Sequence, residues 1–269
     1  MKAALRWWLN VGLPPVVLFV LLLLVWQIVV VAAGVRPFLV PRPTSVIAAA
    51  HEHQGELLSA TLRTAAAALA GLTLSVIVGT LIGIAFSQSA IVRRSCYPYA
   101  ILLQTVPSVA LAPLVILWFG YGFPSVVVVA FILSLFPIIT NSTAGLLAVD
   151  PNLLELFEMA NASRWQVLWK LRLPNSIPHI ITGVKIACGL SVIGAIVGEL
   201  YAGTGTGQFG LGYFVLQNST RLETDFLFAA VIAAMLLGVA IFGTVSLLGE
   251  LILRSWHAPS EAADSSLLN

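Results

Sequence analysis

Long apolar runs alternate with short polar joints along most of this chain. A helix that crosses a bilayer needs about 20 mostly apolar residues. Six stretches reach that length, at about 13–34, 64–86, 97–118, 125–147, 177–200 and 226–253. The pattern predicts a single all-α transmembrane domain over residues 1–269, a bundle of six helices. The first run is nearly all Val and Leu and follows Lys2 and Arg6, with Val31-Ala32-Ala33 near its end. A signal peptide shares that layout, but its apolar core is only about 7–15 residues, so the longer run reads as a retained span.

The second run carries small residues at every fourth position: Ala67, Gly71, Ser75, Gly79 and Gly83. Such a stripe lets another helix approach closely. Pro107 and Pro113 fall inside the third run and Pro137 inside the fourth. Prolines are tolerated in crossing helices where neighbours or cavities satisfy the freed carbonyls.

One segment breaks the apolar rhythm. Residues 150–174 are too polar to cross and too regular to be a linker. Asp150-Pro151 reads as an N-cap followed by proline at the first helical position. Leu153, Leu154, Phe157 and Ala160 then share one face, with Glu155 and Glu158 more exposed. Asn161 suits the left-handed turn that ends a helix. Ser163-Arg164-Trp165-Gln166 is a capping box that starts a second helix. Val167, Leu168 and Leu171 give that helix an apolar side, and Pro174 is expected to stop it. Phe157, Met159, Trp165 and Trp169 are residue types enriched at partner contacts. From physics alone the pair of helices either docks a partner or lies in the lipid headgroups.

Composition sharpens this picture. Only 9% of the 269 residues are charged and 59% are hydrophobic, with a mean hydropathy of +1.00. That excludes an ordinary soluble domain, which carries about 25% charge, and it excludes disorder. A net charge of +2 gives no clustered base for nucleic acid. With the N-terminus inside, the cytoplasmic joints hold Lys2, Arg6, Arg93, Arg94, Arg164, Lys170, Arg172 and Arg254. The outer ones hold Arg36, Arg42, Arg63 and Arg221. Positive charge therefore places both termini in the cytoplasm, although Arg36 and Arg42 run against the trend.

Little else carries chemistry. Cys96 and Cys188 have no metal spacing and are expected to be packing residues. His51, His53, His179 and His257 form no ligand motif. His51 and His53 flank Glu52 in a stretch better suited to a solvated face than to a metal. Ionisable groups in spans are the remaining candidates. Lys185 either faces a path or snorkels to the interface. Arg63 and Glu199 either pair near the outer mouth or are each interfacial. Gln104, Thr105, Ser108, Thr140 and Asn141 either line a passage or bond helix to helix. Gly203, Gly205, Gly207, Gly210 and Gly212 are read as an outer loop, with no phosphate cradle.

Glu155-Leu156-Phe157-Glu158-Met159-Ala160-Asn161, nine residues, then Leu171-Arg172-Leu173-Pro174 resembles the EAA loop of ABC importer permeases. That pattern is Glu-Ala-Ala, three residues, Gly, nine residues, then Ile-x-Leu-Pro. Leu156 and Phe157 replace the alanines, Asn161 the glycine and Leu171 the isoleucine. Residues 104–114 (Gln104 to Leu114), Trp118-Phe119-Gly120, Gly198-Glu199 and Gly210-Leu211-Gly212-Tyr213 are similar to the branch handling taurine, alkanesulfonates, nitrate and bicarbonate. The resemblance implies the type I ABC importer permease fold. It implies that Glu155, Glu158, Ala160, Asn161, Ser163, Arg164, Trp165, Leu173 and Pro174 couple the chain to an ATPase. It also implies a second permease copy, two cytoplasmic ATPase subunits that use ATP and Mg²⁺, an extracytoplasmic solute-binding protein, and a bacterial inner-membrane location. The chain has no G-x-x-x-x-G-K-[ST] loop, so no cofactor is expected on it. A stand-alone secondary transporter would need internal repeats or buried coupling carboxylates, and only Glu199 is well placed for that role.

Overall fold

The computed structural model describes residues 13–202 and 210–254. Lys2, Arg6, Gly203, Gly205, Gly207 and His257 lie outside them. The described chain is helical throughout: α1 (Leu13–Ala32), α2 (Pro43–Glu52), α3 (Gln54–Gln88), α4 (Ala90–Thr105), α5 (Ser108–Phe119), α6 (Phe123–Leu147), α7 (Pro151–Met159), α8 (Arg164–Val167), α9 (Leu173–Ala202), α10 (Leu211–Arg221) and α11 (Thr224–Arg254). A π-helical stretch, Leu168–Arg172, joins α8 to α9. The described residues form two compact units, one of 13–59 with Phe214–Ala233, the other of 60–202 and 210–213 with 234–254.

In the first unit α1 buries only Val30 of its twenty residues, as suits a helix facing lipid. Trp26 packs on Phe228 with ring centroids 5.8 Å apart. Thr224 Oγ1 donates to the Pro37 carbonyl at 2.7 Å. The short α2, absent from the six-span expectation, has Pro43 in its first turn. His51 lies on it and is exposed. His53 sits at the joint with α3, its ring 4.8 Å from that of Phe226 and its Nδ1 3.8 Å from Glu56. Among the described residues no group of His, Cys, Asp or Glu could hold a metal.

The second unit is built on α6, which lies between α3 and α9. The predicted small-residue stripe is buried. A Cβ on Gly71 would lie 2.6 Å from that of Ala130, one on Gly79 would lie 2.8 Å from Ile138, and one on Gly83 would lie 2.8 Å from Ser142. Steps of four on α3 meet steps of four on α6 in the same order, so these two helices run parallel. Ser75 Oγ and Ser134 Oγ meet at 2.7 Å between them, so one donates to the other while its partner's proton is free for a backbone carbonyl of its own helix. On the other side Gly145 meets His179, Gly183 meets Asn141, Gly194 meets Ala130, and Gly198 meets Val126. That order is reversed, so α9 runs antiparallel to α6. Close backbone approach of this kind replaces the hydrophobic force that lipid cannot supply between helices.

Four expectations are corrected. The third predicted span, 97–118, is two helices. Pro107 has no N–H to donate, and it holds Val106 in an extended conformation (φ −69°, ψ 124°). Among the described residues five helices are long and apolar enough to cross a membrane, with Val109–Phe119 as a shorter apolar helix. Pro174 does not stop the second hairpin helix. Residues 164–202 form one continuous 39-residue helix, and the Leu173 N–H reaches back five residues to the Leu168 carbonyl. The wider π turn makes room for a proline ring that would otherwise strike the preceding turn. Gly212 belongs to α10, not to a loop. Of the cysteines, Cys188 is buried as expected, whereas Cys96 is exposed.

Candidate functional site: a capped hairpin and a buried carboxyl

The hairpin of α7 and α8 is fixed by local bonds at each end. The Asn152 N–H donates to Asp150 Oδ1 at 2.9 Å, and Pro151 occupies the first helical position. Asn161 adopts φ 52°. The Ala162 N–H reaches the Phe157 carbonyl at 3.0 Å and the Asn161 N–H reaches Glu158 at 2.9 Å. This pair of bonds is the Schellman arrangement, which satisfies the last carbonyls of a helix. The capping box is closed in both directions: Gln166 N–H to Ser163 Oγ at 3.3 Å, and Ser163 N–H to Gln166 Oε1 at 2.7 Å. Each such cap contributes about 0.5–2 kcal/mol, so the two short helices hold a defined angle.

Its two faces differ. Leu168 is buried, and Leu154, Phe157, Ala162 and Val167 are half-buried against the body. Leu153, Leu156, Met159, Trp165 and Trp169 point away, with Met159 83% and Trp165 68% exposed. Phe157, expected among the outward anchors, therefore packs inward instead. Glu155, Glu158, Ala160 and Arg164 are exposed, while Leu173 and Pro174 are half-buried in the continuous helix. A contiguous apolar patch on an otherwise polar segment marks an interaction surface. Between hairpin and body lies a cavity of about 310 Å³, lined in part by Ser87, Gln88, Glu158, Arg164 and Arg172. Two bonds tie the hairpin's root to the body: Arg172 Nη1 to the Ser87 carbonyl at 2.6 Å, and Asn175 Nδ2 to Ala148 at 2.9 Å. Sequence reasoning marks Arg172 only as a cytoplasmic charge within the EAA-like motif and does not single out Asn175, because their acceptors are backbone atoms on distant helices.

The candidate path residues are not gathered in one place. Arg63 and Glu199 line a small cavity, about 40 Å³, with Gly122, Phe123 and Gly210 among its walls. Glu199 is buried, and no ion pair within 4.0 Å joins it to Arg63. Thr64 Oγ1 lies 2.9 Å from both of its carboxyl oxygens, and the Gly212 N–H donates to Oε2 at 2.9 Å. The Leu211 N–H donates to Thr64 Oγ1 at 3.0 Å. Glu199 and Thr64 thus satisfy the first amides of α10, which have no partner within the helix. A Cβ on Gly210 would overlap the Glu199 carboxyl, so a larger residue there would have to displace that side chain from its cap. Asn141 Nδ2 and Thr140 Oγ1 both bond the Pro137 carbonyl within α6, bridging no helices. Gln104 and Thr105 are exposed, and Thr105 Oγ1 bonds the Leu102 carbonyl. Ser108 opens α5, and its side chain lies outside the described residues. Lys185 is half-buried on α9.

The cap makes a test possible. Glu199→Ala leaves a buried N–H unpaired, which costs about 1–3 kcal/mol. Glu199→Gln keeps an acceptor. Thermal unfolding in detergent is expected to drop clearly for the alanine variant and much less for the glutamine one. Equal losses would show that the acceptor is not what matters.

Long apolar helices packed into a bundle, with a capped hairpin between two of them, are the architecture of a multi-pass membrane protein. Residues 71–255 match the family described as "Binding-protein-dependent transport system inner membrane component". The chain belongs to that family and is a multi-pass membrane permease subunit of an ABC importer. It is 34% identical to the formylaminopyrimidine transport permease ThiX of Halalkalibacterium halodurans, over 91% of this chain and 96% of that one. It is 32% identical to the riboflavin transport permease RibX of Chloroflexus aurantiacus, over 93% and 92%. It is 31% identical to the taurine transport permease TauC of Escherichia coli, over 88% and 86%. Its fold is similar to that of the inward-facing MetNI methionine ABC transporter, with a TM-score of 0.62, 17% identity, and 74% of this chain and 95% of that one covered.

Proposed function

We propose that two copies of this chain form the translocation path of the importer, and that each copy docks one ATPase subunit on its α7–α8 hairpin. The exposed patch around Met159, Trp165 and Trp169 on a doubly capped hairpin carries this reading. ATP and Mg²⁺ are then used by the ATPase subunits, and this chain binds no cofactor of its own. An extracytoplasmic binding protein delivers the solute. Its chemistry is that of a small polar or anionic organic or inorganic solute, in line with relatives named for taurine, aliphatic sulfonates and nitrate. Relatives named for formylaminopyrimidine and riboflavin extend that range to heterocycles.

The helix directions support a sixth crossing. Parallel α3 and α6 both span the bilayer, so the residues between them have to return through it, and α4 with α5 supplies that broken passage. Both termini and the hairpin then lie in the cytoplasm of a bacterial inner membrane, as the Lys and Arg bias predicts. Alternating access follows from rocking of the packed helices. Glu199, the one carboxyl suited to ion coupling, is committed to capping α10, which weighs against a stand-alone secondary transporter.

The test is biochemical. The purified chain alone is expected to hydrolyse no ATP, and the complex with its ATPase subunits is expected to hydrolyse it with Mg²⁺. ATP hydrolysis by the permease alone would contradict the reading.

A further inference from the structure

We propose that Arg172 and Asn175 are positioning residues that relay hairpin movement to the two parallel helices, α3 and α6. The inference rests on the docking role just given to the hairpin. Both residues clamp helix ends. The last four carbonyls of a helix have no partner within it, and the Ser87 carbonyl near the end of α3 receives the Arg172 guanidinium at 2.6 Å. A cation there also matches the negative end of the helix dipole. The Asn175 amide reaches the carbonyls of Ala148, at 2.9 Å, and Gly145, at 3.4 Å, at the end of α6. One chain segment of four residues thus holds the same end of both helices.

The placement of the clamps matters. Arg172 ends the π stretch Leu168–Arg172, and Asn175 follows Pro174. π-bulges are among the places where helices kink, and they are frequent at functional sites. The hairpin lies on one side of this joint, and the long α9 span lies on the other. A force that swings the hairpin about the joint therefore reaches α3 through the Arg172 clamp and α6 through the Asn175 clamp, while the chain itself carries it to α9 and, over Ala148–Asp150, to α6. Those three helices share the glycine-lined contacts along α6. The cavity between hairpin and body leaves room for the swing.

The experiment uses the complex with its ATPase subunits in lipid nanodiscs, in a Cys96→Ser background because Cys96 is exposed. Ala67→Cys provides the reporter. Ala67 is 1% exposed and lines the small cavity, on the same helix as the Ser87 clamp but well away from it. The probe is a soluble maleimide, applied with and without ATP and vanadate. With the clamps intact, nucleotide is expected to change the labelling rate by about tenfold or more, a population shift of ordinary size. Arg172→Gln and Asn175→Leu are each expected to cut that dependence below about twofold while the ATPase subunits stay bound. Arg172→Lys restores it, since one donor to one carbonyl suffices. Unchanged nucleotide dependence in both Arg172→Gln and Asn175→Leu would overturn the relay. Loss of the ATPase subunits from either variant would overturn it too, by showing that the residue only supports the docking face. No nucleotide response in the complex with intact clamps would instead defeat the docking reading itself.

Discussion

A chain carrying Gly194→Val is expected to reach the membrane but to yield no monodisperse protein in detergent. The Cβ would lie 2.6 Å from the Ala130 Cα and 3.1 Å from both the Ala130 nitrogen and the Val129 carbonyl. These are backbone atoms of α6, which have no rotamer to change. Nor can α6 retreat, because Ala130 is held from its other side by Gly71 of α3. Overpacking in a core typically costs about 1–3 kcal/mol, and that figure assumes side chains that can adjust. Here three backbones would have to part, and helix association in lipid depends on that close fit. Gly189→Val on the same helix is the control, since nothing lies within 4 Å of its Cβ position. Gel filtration of the two variants decides the matter. If Gly194→Val elutes like Gly189→Val, the three-helix core is not the source of the bundle's stability.

The same glycines show what a sequence can reveal. Ala67, Gly71, Ser75, Gly79 and Gly83 announce a contact face because their spacing of four is a local property of one helix. The hairpin is legible for the same reason. Asp150, Asn161 and the Ser163–Gln166 pair act on backbone groups within a few residues of themselves, and each takes the predicted role. Prolines were less readable. Pro98, Pro113, Pro137 and Pro174 all sit inside helices, and only Pro107 divides one. The outcome depends on how the surrounding turns adjust, as the π stretch before Pro174 shows. Glu199 and Arg172 were hardest to place. Their partners are 13 to 135 residues away for Glu199 and 85 for Arg172, so neither role is written in local spacing. The glycines around Leu211 gave a misleading cue. All are read as loop, and Gly210 does precede the helix, but Gly212 lies within α10, where a Cβ would meet the Ile196 carbonyl and the Glu199 Cβ.

Trp165→Asp is expected to separate the permease from its ATPase. Trp165 sits in the first turn of α8, with 68% of its surface free, beside a capping box that stays intact when its side chain changes. Insertion and bundle packing should therefore survive. Tryptophan anchors at protein interfaces commonly contribute 2 kcal/mol or more, and each 1.4 kcal/mol is about tenfold in affinity. A carboxylate placed in that apolar patch adds a desolvation cost on binding. Glu155→Ala, on the exposed side of α7, removes a charge without adding one, and a smaller loss of coupling is expected from it. If the hairpin instead lay in the lipid headgroups, ATPase binding would not respond to either change.

The most direct measurement is retention of the ATPase subunits by tagged permease in mild detergent. The intact chain should hold them, and Trp165→Asp should lose at least about tenfold of the bound ATPase while remaining monodisperse itself. Undiminished retention by a well-folded Trp165→Asp chain would contradict the assignment of the hairpin as the docking site.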